Sequence, residues 1–133
     1  MPVNKSILLV DDDADDRLLF SEAFNQVNSG FELIQLNNGK ELLNYLNNNV
    51  PPVPQLIVMD FHMELVSGEE ALQSIKKNKQ LSRIPVIVYS GTSSTFQQDP
   101  ILKLGANAYV QKPNTYEKMV DVVKSMILLF VPN

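Results

Sequence analysis

Four short apolar runs in this sequence are followed directly by residues that can do chemistry. Asp11, Asp12 and Asp13 follow ILLV, Asp60 follows LIVM, Ser90, Gly91 and Thr92 follow VIVY, and Gln111, Lys112 and Pro113 follow AYV. If the runs are parallel strands of one sheet, these residues meet on the rim outside the strand ends, where such sheets bind ligands. Unpaired carboxylates packed there repel one another. Asp11, Asp12 and Asp60 bring three negative charges, which one divalent cation and the Lys112 ammonium would offset. Oxygen-only ligands favour magnesium over zinc.

Blander readings compete at several of these positions. Asp13, Asp15 and Asp16 fit capping of a first helix and complementing its dipole. Asp11, Asp13, Asp15 and Glu22 match ligand positions of an EF-hand loop, but Asp16 stands where its sharp turn needs Gly and a strand precedes the run. A phosphatase with an Asp nucleophile at Asp60 would need a second Asp two residues on, where the chain has His62. A lone His reads as a loop residue without catalytic duty. Lys112 reads alternatively as a surface lysine, Tyr109 as sheet packing, and Ser90 and Thr92 as turn formers.

The elements that must position these groups are legible in the periodicity. Ile7 to Val10, Phe31 to Leu36, Leu56 to Met59, Val86 to Tyr89 and Ala108 to Val110 read as five strands, three of them without polar alternation, as in a sheet covered on both faces. Phe20, Ala23, Phe24 and Val27, then Leu42, Leu43 and Leu46, then Ala71, Leu72 and Ile75 repeat at helical spacing. The helix after Ser67 carries acids first and lysines last, which suits its dipole. Asp99 before Pro100 predicts a short fourth helix starting there and ending at Gly105, with Thr92 to Gln98 a loop. NNNVPPVP reads as a stiff surface connection. A last helix is expected from about Thr115 to Phe130, with Tyr116, Met119, Val120, Val123, Met126, Ile127 and Phe130 on its core stripe. Alternating strands and helices predict a doubly wound α/β domain with right-handed crossovers.

Composition bounds the function. At 133 residues with 44% hydrophobic residues, one domain over residues 1–133 with a sizeable core is expected. No Cys is present, which excludes a disulfide framework, a zinc-thiolate site and a Cys nucleophile. The first apolar run is too short for a signal peptide or a membrane span, so a cytoplasmic location is expected. A net charge of −4 argues against direct nucleic-acid binding.

The motifs ILLVDD, LIVMD, Gly68, VIVYSG and GANAYVQKP, in that order, resemble the CheY-like receiver domain of two-component response regulators. The resemblance spans nearly the whole chain. It implies a flavodoxin-like, five-stranded parallel sheet of order 2-1-3-4-5 with helices on both faces. It further implies that Asp60 is the phosphoacceptor, that Asp11, Asp12 and Asp60 hold Mg2+ together with the backbone carbonyl of His62, that Ser90 is the switch hydroxyl, that Lys112 is the family's lysine, and that Tyr109 is the aromatic switch. Two departures are Glu64, where the family commonly has Pro, and Ser rather than Thr at position 90. The His62 side chain is expected near the site.

The implied function is a phosphorylation-gated receiver that takes a phosphoryl group from a sensor histidine kinase or a His phosphotransfer protein and acts on a downstream protein. It is not an enzyme on a separate substrate. The alternative is a receiver-like adaptor that binds a partner without phosphoryl transfer. In the last helix Val122 and Leu129 lie off the core stripe, and Leu128 and Val131 add apolar surface, which predicts a homodimer or partner contact there; fraying or folding back is the bland alternative.

Overall fold

The computed structural model describes residues 5–27, 29–50, 52–63, 65–91 and 95–131, with the side chains of 95–97 excepted. Glu64 and Thr92 lie outside the described residues.

Five strands alternate with five helices: β1 (Ser6–Val10), α1 (Ala14–Val27), β2 (Glu32–Leu36), α2 (Gly39–Asn49), β3 (Leu56–Met59), α3 (Gly68–Lys77), β4 (Val86–Ser90), α4 (Thr95–Lys103), β5 (Ala108–Gln111) and α5 (Tyr116–Phe130). All pairings are parallel, in the order β2-β1-β3-β4-β5. The fold is therefore the flavodoxin-like arrangement the motifs implied. Every residue of β1, β3 and β4 is buried, which explains their unbroken apolar runs. Edge strands β2 and β5 are half-buried.

Successive strand residues point to opposite faces and build two cores. On one face Leu8, Val10, Ile57, Met59, Val86 and Val88 pack under α2, α3 and α4. On the other, Ile7, Leu9, Val58, Ile87 and Tyr89 pack under α1 and α5. Helix starts are fixed by caps. Asn38 accepts from Glu41 N–H, Ser67 from Glu70 N–H and Thr115 from Lys118 N–H. Among the described residues, no helix is long and apolar enough to cross a membrane.

Three expectations need correction. The fourth helix starts at Thr95, not Pro100, so Pro100 sits inside it. An interior Pro removes one hydrogen bond, and the next residue, Ile101, is buried in the core; Gly105 ends the helix at φ +111°, as expected. In α5, Tyr116 faces outward and donates to Gln26 at 2.7 Å, whereas Val131 turns inward and is buried, because the chain leaves helical phase at that residue. The Pro-rich connection is not wholly at the surface: Val53 packs against the core and Pro54 is buried.

Candidate functional site

The ends of β1, β3 and β5 bring the acidic and basic residues together. The Asp60 N–H donates to the Val10 carbonyl at 2.8 Å and the Asp11 N–H to the Leu36 carbonyl at 3.1 Å, so both residues leave the sheet side by side. The Lys112 N–H donates to the Ser90 carbonyl at 2.7 Å, which ties the end of β5 to the end of β4. Each group is thus set by backbone hydrogen bonds between the ends of neighbouring strands.

Asp11, Asp12 and Asp60 each offer one carboxylate oxygen within 4.8 Å of the others. Asp11 and Asp60 are buried and Asp12 is exposed. These oxygens suit a hard cation that keeps part of its water shell, since one side of the cluster is open to solvent. The His62 imidazole is exposed and stands edge-to-face on Phe61, with ring centroids 5.6 Å apart. The imidazole does not join the Asp11, Asp12 and Asp60 oxygens; the His62 backbone N–H donates to Asp60 Oδ1 at 3.2 Å.

Lys112 stands at the centre of the charges. Its Nζ lies 2.9 Å from Asp11 Oδ2, 2.8 Å from Asp16 Oδ2 and 3.2 Å from Asp60 Oδ2, and 5.6 Å from the centroid of the Tyr89 ring. Burial alone would lower the lysine's pKa, but its contacts with Asp16 and Asp11 and the charge of Asp60 hold it above the ordinary lysine value. Burial pushes the Asp11 carboxyl up, and Lys112 offsets part of that rise. The ammonium is fully charged at neutral pH.

Ser90 is buried at the end of β4. Tyr109 is half-buried on β5, opposite Val88, and packs against the core under α2, α3 and α4. Gly68 brings the start of α3 against the loop after Asp60: its N–H donates to the Phe61 carbonyl at 3.0 Å, and a Cβ there would lie 2.6 Å from that oxygen. Only glycine fits without a backbone shift.

Two contributors escaped the sequence reading. Asp13 does cap α1, accepting from the N–H groups of Asp15 and Asp16, but the Asp16 side chain points to Lys112 instead of serving only the helix. Arg17 donates to the Asp11 carbonyl at 2.6 Å, pinning the turn between β1 and α1. An Arg one turn into a helix carries no sequence signal for that contact.

The chain is similar to known proteins in sequence and in fold. The sequence model of the response regulator receiver domain matches residues 7–124. A curated relative, the polar-differentiation response regulator DivK of Brucella anthropi, is 30% identical over 123 residues, covering 92% of this chain and 96% of its own. Among solved structures, the Mn2+-bound response regulator Rcp1 is 27% identical with a TM-score of 0.83, covering 96% of this chain and 95% of its own. The phosphorylated cyanobacterial phytochrome response regulator RcpA is 27% identical with a TM-score of 0.84, covering 98% and 100%.

Proposed function

The chain belongs to the response regulator receiver domain family, and from that premise we propose that it is a phosphorylation-gated receiver whose phosphoacceptor is Asp60. The observation that carries the reading is Asp60 at the end of the central strand, with Lys112 Nζ 3.2 Å from one carboxylate oxygen and the Asp11 and Asp12 carboxylates beside it. A carboxylate is a weak nucleophile toward phosphorus, so the site must align it and neutralise charge on the transferred group. In the proposed step an Asp60 oxygen attacks the phosphorus of a phosphohistidine on a sensor kinase or phosphotransfer protein. The P–N bond breaks as the P–O bond forms, and imidazole leaves neutral, its other nitrogen keeping the proton.

Asp11, Asp12 and Asp60 would hold Mg2+, which neutralises phosphoryl charge when bound; the Mn2+-bound relative supports a divalent ion in such a site. His62 contributes its backbone to this arrangement, and its N–H already restrains Asp60 Oδ1. Lys112 orients the phosphoryl oxygens. The aspartyl-phosphate carries about two negative charges and three acceptor oxygens. Ser90 hydrogen-bonds one of them, and Tyr109 repacks beside β4, so that the face formed by α4, β5 and α5 changes shape. The protein assists its own phosphorylation and turns over no separate substrate; its setting is the cytoplasm.

Output then runs through protein contacts. Val110, Val122, Met126, Leu129 and Phe130 line an apolar groove between β5 and α5, in which Leu129 is 75% exposed. We assign this face to a second copy of the chain or to a downstream protein.

The test is amide NMR with Mg2+ and beryllofluoride, an analogue of the aspartyl-phosphate. The reading predicts shifts around Asp60, Ser90 and Tyr109. Spectra identical with and without the analogue would refute it and favour the adaptor.

A further inference from the structure

The ammonium assigned to the phosphoryl group is already shared. Asp16 Oδ2, from the first turn of α1, lies 2.8 Å from Lys112 Nζ, against 3.2 Å for Asp60 Oδ2. The Asp16 side chain is 34% exposed and that of Lys112 15%. Of the three N–H donors of the ammonium, two are taken by Asp16 and Asp60, and Asp11 Oδ2 stands 2.9 Å away as an ion-pair partner. Oxygens arriving on Asp60 therefore compete with Asp16 and Asp11 for the same ammonium. Asp16 is the one whose carboxylate can turn to water, since Asp11 and Asp60 are buried.

We propose that Asp16 is a positioning residue that holds Lys112 in the resting site and gives it up to the phosphoryl group on Asp60. The inference rests on the phosphoacceptor reading of Asp60. With Asp16 included, the site holds four carboxylates and one ammonium, three of the carboxylates in contact with it. A divalent cation then leaves one net negative charge, so Asp16 opposes the further charge that phosphorylation adds. Toward the cation its effect is the reverse. Asp16 adds attraction and shares the ammonium that would otherwise sit wholly on Asp60 and compete there with metal.

The two effects predict opposite signs from one substitution. Wild type, Asp16→Asn, Asp16→Glu and Asp15→Asn are titrated with Mg2+ alone, then with beryllofluoride at saturating Mg2+, by calorimetry. Asp16→Asn should bind Mg2+ roughly threefold more weakly and beryllofluoride roughly threefold more tightly, the size expected of a half-exposed ion pair. Asp16→Glu, keeping the charge, should return both affinities toward wild type. Asp15→Asn removes a neighbouring first-turn charge that is exposed and should change neither. In metal-free protein, the Lys112 ammonium NMR signal should move in Asp16→Asn and stay in Asp15→Asn. General loosening of α1 lowers both affinities together, and that result, or no change in either, overturns the proposal. A wild type that binds neither probe removes the phosphoacceptor reading itself, and this inference with it.

Discussion

The Tyr89 hydroxyl donates to the Met119 thioether at 2.9 Å, joining the buried end of β4 to α5. The same ring stacks edge-on against Phe20, with centroids 5.7 Å apart, and its face lies toward Lys112. Tyr89 thus connects the charged rim to the α1 and α5 layer. Tyr89→Phe keeps the ring and loses only the hydroxyl, so the expected cost is about 1 kcal/mol, measured by urea unfolding. A loss above about 3 kcal/mol would mean that the hydroxyl holds more than this one bond.

Tyr89 also sets an alkaline limit. Burial raises its pKa well above the ordinary tyrosine value. A group whose pKa is raised on folding contributes stability that is complete below the unfolded pKa and is lost as pH rises toward the folded one. Stability should therefore fall above about pH 10, less steeply in Tyr89→Phe. Ultraviolet titration should show Tyr89 ionising only as the fold opens; ionisation in the folded protein near the ordinary value would contradict its burial.

Gly68→Ala forces a Cβ to 2.6 Å from the Phe61 carbonyl oxygen. Despite the better helix propensity of Ala, the expected cost is on the order of 1–3 kcal/mol, with weaker beryllofluoride binding because the loop after Asp60 must shift. At Gly91 a Cβ meets nothing within 4 Å, and Gly91→Ala should change stability by less than about 0.5 kcal/mol. Equal effects at the two positions would rule out the steric account.

Clustered Asp11, Asp12 and Asp60 should make the fold sensitive to metal. Magnesium at ten times its dissociation constant should stabilise by about 1.4 kcal/mol, raising the melting temperature by about 4 °C. Asp12→Asn should remove most of that increment. A thermal melt unaltered by millimolar Mg2+ would count against the site.

The apolar face of α5 predicts self-association. Burying the exposed Leu129 would contribute about 1.5 to 3 kcal/mol, and Val122, already partly packed against the core, less. Sedimentation of wild type with beryllofluoride should show a dimer that Val122→Asp and Leu129→Asp abolish. One monomeric species in every case excludes the dimer and leaves the face to a different protein.

Much of the fold could be read from Ile7 to Val10, Leu56 to Met59 and Val86 to Tyr89, because strands buried on both faces have no alternation to confuse with a loop. The rim was legible for a related reason: Asp11 and Asp60 each follow such a run, and Lys112 follows the apolar stretch of the half-buried edge strand β5. Pro100 misled because the local rule against interior proline carries no knowledge of where Ile101 is buried. Asp16 misled because its partner, Lys112, is 96 residues away in the chain, while its neighbours Asp13 and Asp15 supply a sufficient local reason for acids there. Val131 and Tyr116 erred in helical phase at the two ends of α5, where periodicity is least defined.

The central claim is that Asp60 alone receives the phosphoryl group. Wild type and Asp60→Asn are incubated with acetyl phosphate and Mg2+, and intact mass is measured before and after mild base. The wild type should gain one phosphoryl group that base removes and acid preserves, and Asp60→Asn should gain none. A base-labile phosphoryl group on Asp60→Asn, or none on the wild type, would contradict the assignment.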